Sequence, residues 1–337
     1  MADLSTTWLG LRLANPLVPS ASPLSRDTDH ALRLEDAGAA ALVMYSLFEE
    51  KIDREAAHLQ RFLHEQETGF AEATGFHPVP DHYKTCQEEY LEQLAALKAR
   101  LAIPVIASLN GTSLGGWIEY GRMLEQAGAD ALELNTYHLA ANPDEDCATT
   151  EQRYLDLLSE LRRHVRLPIN MKISPYFSAL AHFTKRLETT GANGLSLFNR
   201  FYQPDIDLDT LDVAHRLELS RPHEVLLRIR WAALLHGKVN LSLGVTGGFH
   251  TGADALKALL AGADVVHLCS VLLQEGPAAL ARILDFLQTW MTEREYASVA
   301  QLRGSLSQQH AMDPAAYERA NYVEVLDSYS SPPGVWR

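Results

Sequence analysis

The chain has 337 residues, 47% of them hydrophobic, and a formal net charge of −14, which suits one large core and offers no broad positive field for nucleic acid or anionic lipid. A small-molecule partner is the expectation. Cys86, Cys147 and Cys269 are far apart and include no C-x-x-C pair, so neither a disulfide framework nor a zinc ribbon is indicated, and a reducing, cytoplasmic setting fits. The opening MADLSTTWLG lacks a signal-like basic and apolar pattern, and no segment is apolar enough to span a membrane, so a soluble intracellular protein is expected.

In chain order, eight short apolar runs alternate with helical stretches. The strand candidates lie in LVPSAS (17–22), DAGAAALVM (36–44), IPVIASLN (103–110), QAGADALELN (126–135), LPINMKI (167–173), TTGANGLSLFN (189–199), VNLSLGV (239–245) and LAGADVVHL (260–268). Four of these runs begin with a Gly-Ala or Ala-Gly turn, where glycine ends a helix in the left-handed conformation and an apolar strand follows. The helices are predicted at 27–37, 85–100, 115–127, 150–165, 177–190, 222–236, 252–261 and 277–293. Eight such units predict a parallel (β/α)₈ TIM barrel, here residues 1–305, with an extension at 306–337 that docks on the barrel or on a neighbouring subunit. The segment YERANYVEVLDSYSSPP (317–333) reads as one more helix in that extension. A doubly wound sheet is the alternative, but no G-x-G-x-x-G follows the first strand.

Three connections, 45–84, 136–149 and 200–221, are too long for simple turns. All follow strand C-termini, the face on which barrel active sites assemble. After the seventh strand, Thr246-Gly247-Gly248 can bring backbone amides close to an anion, and Cys269-Ser270 starts the loop after the eighth strand. Together they make a phosphate site of the kind that barrel enzymes place there.

The segment TGGFHTGADALKALLAGADVVHLCSVLLQEGP (246–277) resembles the C-terminal FMN-phosphate segment of the class 1 dihydroorotate dehydrogenases. LANPLVPSAS (13–22), ALELN (131–135) and INMKISPYFS (169–178) are similar to three further motifs of that family, in the same order. The resemblance, over about residues 4–305, implies an FMN-dependent oxidoreductase that acts on the CH–CH bond of dihydroorotate or a related dihydropyrimidine, as in pyrimidine biosynthesis. It implies that Ala21 and Ser22 lie against the flavin, that Asn110 and Asn135 bond its polar edge, and that Lys172 sits near N1 and O2, stabilising negative charge on the reduced ring. Thr246, Gly247, Gly248, Cys269 and Ser270 would hold the phosphate end, and Asn199 would contact substrate. A homodimer is expected, and the electron acceptor is either soluble or a separate electron-transfer subunit, because this chain lacks a cysteine cluster of its own.

The sequence also departs from the family. Tyr45-Ser46 stands where the family has Lys-Ser; ATGFHPVPDH (73–82) replaces an asparagine-rich segment; ELSRPHEV (218–225) replaces a glycine-rich loop that touches the cofactor. Asn135-Thr136-Tyr137-His138-Leu139 lacks the family's catalytic thiol. His138 falls where the thiol would be and is the candidate base, with a surface or packing role as the plainer reading and Tyr137 as the weaker candidate. Tyr45, Asn199 and Arg200 are the candidate substrate contacts; Arg200 either binds an anionic group or pairs with Asp205 or Asp207. Two rivals stand beside the flavoenzyme: a flavin-free barrel enzyme for a phosphorylated substrate, and a barrel that has lost catalysis and acts as a regulatory or interaction subunit.

Overall fold

The computed structural model describes residues 1–57, 84–111, 117–201, 203–214 and 216–318, with 322, 325, 326, 328 and 330. ATGFHPVPDH and most of the final segment, 317–333, lie outside the described residues.

Eight parallel strands form the barrel: β3 (Leu17–Pro19), β4 (Leu42–Phe48), β5 (Val105–Asn110), β6 (Ala131–Asn135), β7 (Ile169–Ile173), β8 (Gly194–Leu197), β11 (Ser242–Thr246) and β12 (Val265–Leu268). They pair in chain order from β4 to β12, and β12 pairs with β3. The ring closes where Ala40 donates its N–H to the Leu17 carbonyl. The chain is therefore a (β/α)₈ barrel. The remaining strands make two antiparallel hairpins: β1 (Thr6–Trp8) with β2 (Leu11–Leu13), and β9 (Asp205–Asp207) with β10 (Asp212–Ala214).

The outer ring contains α1 (Thr28–Asp36), α2 (Cys86–Arg100), α3 (Trp117–Gln126), α4 (Cys147–His164), α5 (Leu180–Thr190), α6 (Val225–Leu235), α7 (Gly252–Ala261) and, beyond the short α8 (Ser270–Glu275), α9 (Ala278–Glu293). In α2, Cys86, Tyr90, Leu94 and Leu97 recur at helical spacing and are buried, while the Thr85 side chain and Glu88 close a capping box at its start. Gly191 and Gly262 end α5 and α7 with φ of 111° and 118°, a conformation that residues bearing a Cβ adopt only with strain. The N-terminal hairpin plugs the lower end of the barrel. There Trp8 is fully buried, Leu9 donates to Ser242 Oγ, and Gly194 leaves room for the Leu9 side chain.

The strands are buried on both faces; inward positions near the hairpin are apolar, among them Ile106 and Ala131, and those toward the C-terminal ends are polar. Residues two apart share a face, and the polar residues fall into such pairs: Ser108 and Asn110, Glu133 and Asn135, Asn170 and Lys172. After α9 the chain returns along α10 (Val299–Leu302) to α11 (Pro314–Glu318) and lies on α6 and α7. Gly304 and Leu306 donate to the carbonyls of Leu259 and Leu260, and Lys238 donates to Gln308.

Candidate active site

At the C-terminal ends of the strands the barrel opens into a cavity of about 1210 Å³. The loop after β3 contributes Ala21 and Ser22; β5, β6 and β7 contribute Asn110, Asn135 and Lys172; the loop after β8 contributes Asn199 and Arg200. Thr246, Gly247, Cys269 and Ser270 form the opposite part of the same wall. Local folding explains this convergence: Asn110, Asn135, Lys172 and Thr246 lie at strand ends whose alternation turns them inward, and the others lie on the loops that follow strand ends on the same face.

At one end, Asn199 donates to Asn135 Oδ1 at 2.7 Å, which fixes the Asn135 amide and leaves its NH₂ as a donor. Lys172 Nζ lies 3.2 Å from Glu133 Oε1, with the two side chains 8% and 1% exposed. Behind them runs a polar network: Ser108 Oγ and Asn170 Nδ2 both lie 3.4 Å from Glu133 oxygens, Asn170 donates to Ser196 Oγ, and Ser196 meets His267 Nε2 at 3.3 Å. Burial, with Lys172 adding to it, holds the His267 pKa down at about 3, so the ring is neutral at ordinary pH.

At the other end Gly247 has φ of 97°, and a Cβ there would come within 3.1 Å of Arg228 Nη2. Arg228 is buried and held by the carbonyls of Thr246 and Glu224, so a guanidinium stands directly behind the glycine turn. Ser220 Oγ accepts from the Gly248 N–H at 3.0 Å and meets Ser270 Oγ at 2.7 Å. The cluster offers hydroxyls, amides and a nearby cation to an anion. Burial raises the Cys269 thiol pKa against the opposing pull of Lys172, so the thiol stays protonated.

Three sequence candidates do not line the cavity. Tyr45 turns outward from β4 because its neighbours Ser46 and Phe48 face in; its ring packs edge-on against Tyr90 at 4.9 Å, under the Arg26 guanidinium. Gly248 faces the 221–225 segment, where a Cβ would strike the Arg221 carbonyl at 2.8 Å. His138 is not among the lining residues, and its Nε2 lies 3.0 Å from Glu145, which Arg153 also binds. Arg200 lines the cavity but pairs with Glu224 at 3.4 Å and donates to the Glu218 carbonyl, not with Asp205 or Asp207.

The sequence alone does not single out Ser220, which sits in the ELSRPHEV segment that replaces the family's glycine-rich loop, or Glu133, whose period-two partner Asn135 is the available signal. Nor does it single out the wall made by Tyr137 stacked on Phe201 at 4.1 Å, with Tyr176 edge-on to Phe201.

The dihydroorotate dehydrogenase family model matches residues 3–291. The chain belongs to the dihydroorotate dehydrogenase family. Among its relatives, the dihydroorotate dehydrogenase B (NAD⁺) catalytic subunit of Thermoplasma acidophilum is 26% identical over 316 residues, covering 90% of this chain and 99% of its own. The putative dihydroorotate dehydrogenase A (fumarate) of Aeropyrum pernix is 25% identical, covering 90% and 97%. The dihydroorotate dehydrogenase A (fumarate) of Lactococcus lactis is 26% identical, covering 90% and 99%. Membership makes the chain an oxidoreductase of the dihydroorotate dehydrogenase type. Among the described residues no helix is long and apolar enough to cross a membrane, and no cluster of metal-ligating side chains occurs.

Proposed function

We propose that the chain is an FMN-dependent dehydrogenase that oxidises dihydroorotate or a related dihydropyrimidine. The observation that carries this reading is the pairing, in one cavity, of a carboxamide and ammonium end (Asn110, Asn135, Lys172) with an anion-binding end (Thr246, Gly247, Ser220, Ser270). The cavity, at about 1210 Å³, is larger than the roughly 300–1,000 Å³ of ordinary small-molecule sites and suits a flavin nucleotide with a second molecule beside it. Thr246, Gly247, Ser220 and Ser270 would hold the phosphate, with Arg228 offsetting its charge from behind the turn.

FMN, when bound, supplies a two-electron hydride acceptor. Lys172 places a positive charge at the carboxamide end, where it favours negative charge on a reduced ring. Asn110, Asn135 and Asn199 orient planar amide-bearing groups, and the stacked Tyr137 and Phe201 exclude water from one side. His138 acts as base only after the 136–146 segment turns its ring inward, away from Glu145.

Two copies of the chain are proposed to associate. The T. acidophilum relative's name, a catalytic subunit of an NAD⁺-linked enzyme, favours a separate electron-transfer partner for this chain too. Cys86, Cys147 and Cys269 are all free, which supports a cytoplasmic setting. Anaerobic mixing of the yellow protein with L-dihydroorotate, dihydrouracil and dihydrothymine tests the reaction. Bleaching of the flavin bands by one of them is expected, and a flavin that none of them reduces overturns the substrate class.

A further inference from the structure

Lys172 is not a free cation at the end of its strand. Its Nζ lies 3.2 Å from Glu133 Oε1, and Glu133 is 1% exposed. Glu133 sits on β6 two residues before Asn135, and register places Asn135 beside Lys172 and Glu133 beside Asn170. Asn135 and Lys172 line the cavity whereas Glu133 does not, so the carboxylate lies one layer beneath the cavity wall. The same carboxylate is approached by Ser108 Oγ and Asn170 Nδ2, both at 3.4 Å, which hold it in place. Two other buried titratable rings, His267 and Tyr90, add no charge, because burial keeps the imidazole neutral and the phenol protonated.

Two opposite charges this close in a water-excluded interior cancel much of each other's field at a third point. The positive potential at the carboxamide end is thus a difference, set by Lys172 and reduced by Glu133. We propose that Glu133 is a positioning residue that orients Lys172 and lowers the reduction potential of a flavin bound above it. The inference rests on the FMN reading.

Removing the carboxylate charge with the isosteric Glu133→Gln leaves the Lys172 charge uncompensated, so reduction becomes easier. A tenfold or greater rise in the equilibrium constant for two-electron reduction is expected, which is about 30 mV. Lys172→Met acts in the opposite direction. The double variant Glu133→Gln/Lys172→Met removes both charges together, so its potential should lie below that of Glu133→Gln by a tenfold step or more in the same equilibrium constant, about 30 mV, and no lower than that of Lys172→Met. It also leaves no unpaired buried charge, so it remains measurable even where Glu133→Gln alone folds poorly.

The experiment is dye-equilibrated spectroelectrochemistry of the four holoproteins after their FMN content has been determined. A raised potential in Glu133→Gln, with the double variant below it and no lower than Lys172→Met, supports the proposal. An unmoved or lowered potential in Glu133→Gln, or a double variant that falls below Lys172→Met by a tenfold step or more, overturns it. Wild-type protein that binds no FMN defeats the functional reading itself, and the inference with it.

Discussion

At His138 the imidazole Nε2 faces both oxygens of Glu145, at 3.0 and 3.1 Å, and Arg153 holds the same carboxylate. A ring so engaged is anchored to its own loop and does not meet the cavity. His138→Ala is expected to lower the anaerobic flavin-reduction rate by less than about fivefold, whereas a positioned general base contributes roughly 10²–10⁴-fold. A hundredfold loss that follows a titration near neutral pH would instead put the ring at the reacting carbon. His267 carries a separate, pH-linked consequence. Its folded pKa, about 3, lies far below the value near 6.5 of an exposed histidine, so below about 6.5 the unfolded chain binds a proton that the folded chain does not. Stability therefore falls as pH drops through that window and is fully present above it. Between pH 7 and 5 this ring should cost about 2 kcal/mol that His267→Gln does not lose, as read from urea unfolding at both pH values. Equal pH dependence in the two proteins would refute the assignment.

At the scale of elements, the glycine turn after β11 is locked to the 221–225 segment at the start of α6. Gly248 has φ of 88°, and a Cβ on it would meet the Arg221 carbonyl and Val225 N, so Gly248→Ala combines backbone strain with a collision against main chain. A loss of about 2 kcal/mol or more is expected, together with weaker FMN retention, because Ser220 moves with the segment. A variant with unchanged denaturation midpoint and FMN content would show that the turn is not tied to α6. The eight barrel helices and strands were legible because helical spacing and Gly-Ala turns mark them, as at Gly191 and Gly262. The β1–β2 hairpin was not, since its strands are three residues each and its packing depends on Gly194 and Ser242, far along the chain. The candidate residues at strand ends or on the loops directly after them line the cavity; Tyr45, His138 and Gly248 do not, because direction at a bulge, in a loop and at a turn is set by tertiary neighbours such as Tyr90, Glu145 and Arg221.

The whole molecule is an acidic barrel, net −14, that gathers Lys172, Arg200, Arg216 and the buried Arg228 at or behind one cavity. The same cavity is lined by Asp205, Asp207 and Glu218, so an anion would be held there by local amides, hydroxyls and single cations and not by a broad positive field. The central claim is that this cavity is a flavin site, and the most direct measurement is the FMN released per chain from the purified, FMN-reconstituted protein, quantified against its absorbance spectrum. The account predicts a yellow protein with close to one FMN per chain, and a folded, colourless protein that takes up no FMN on reconstitution would contradict it.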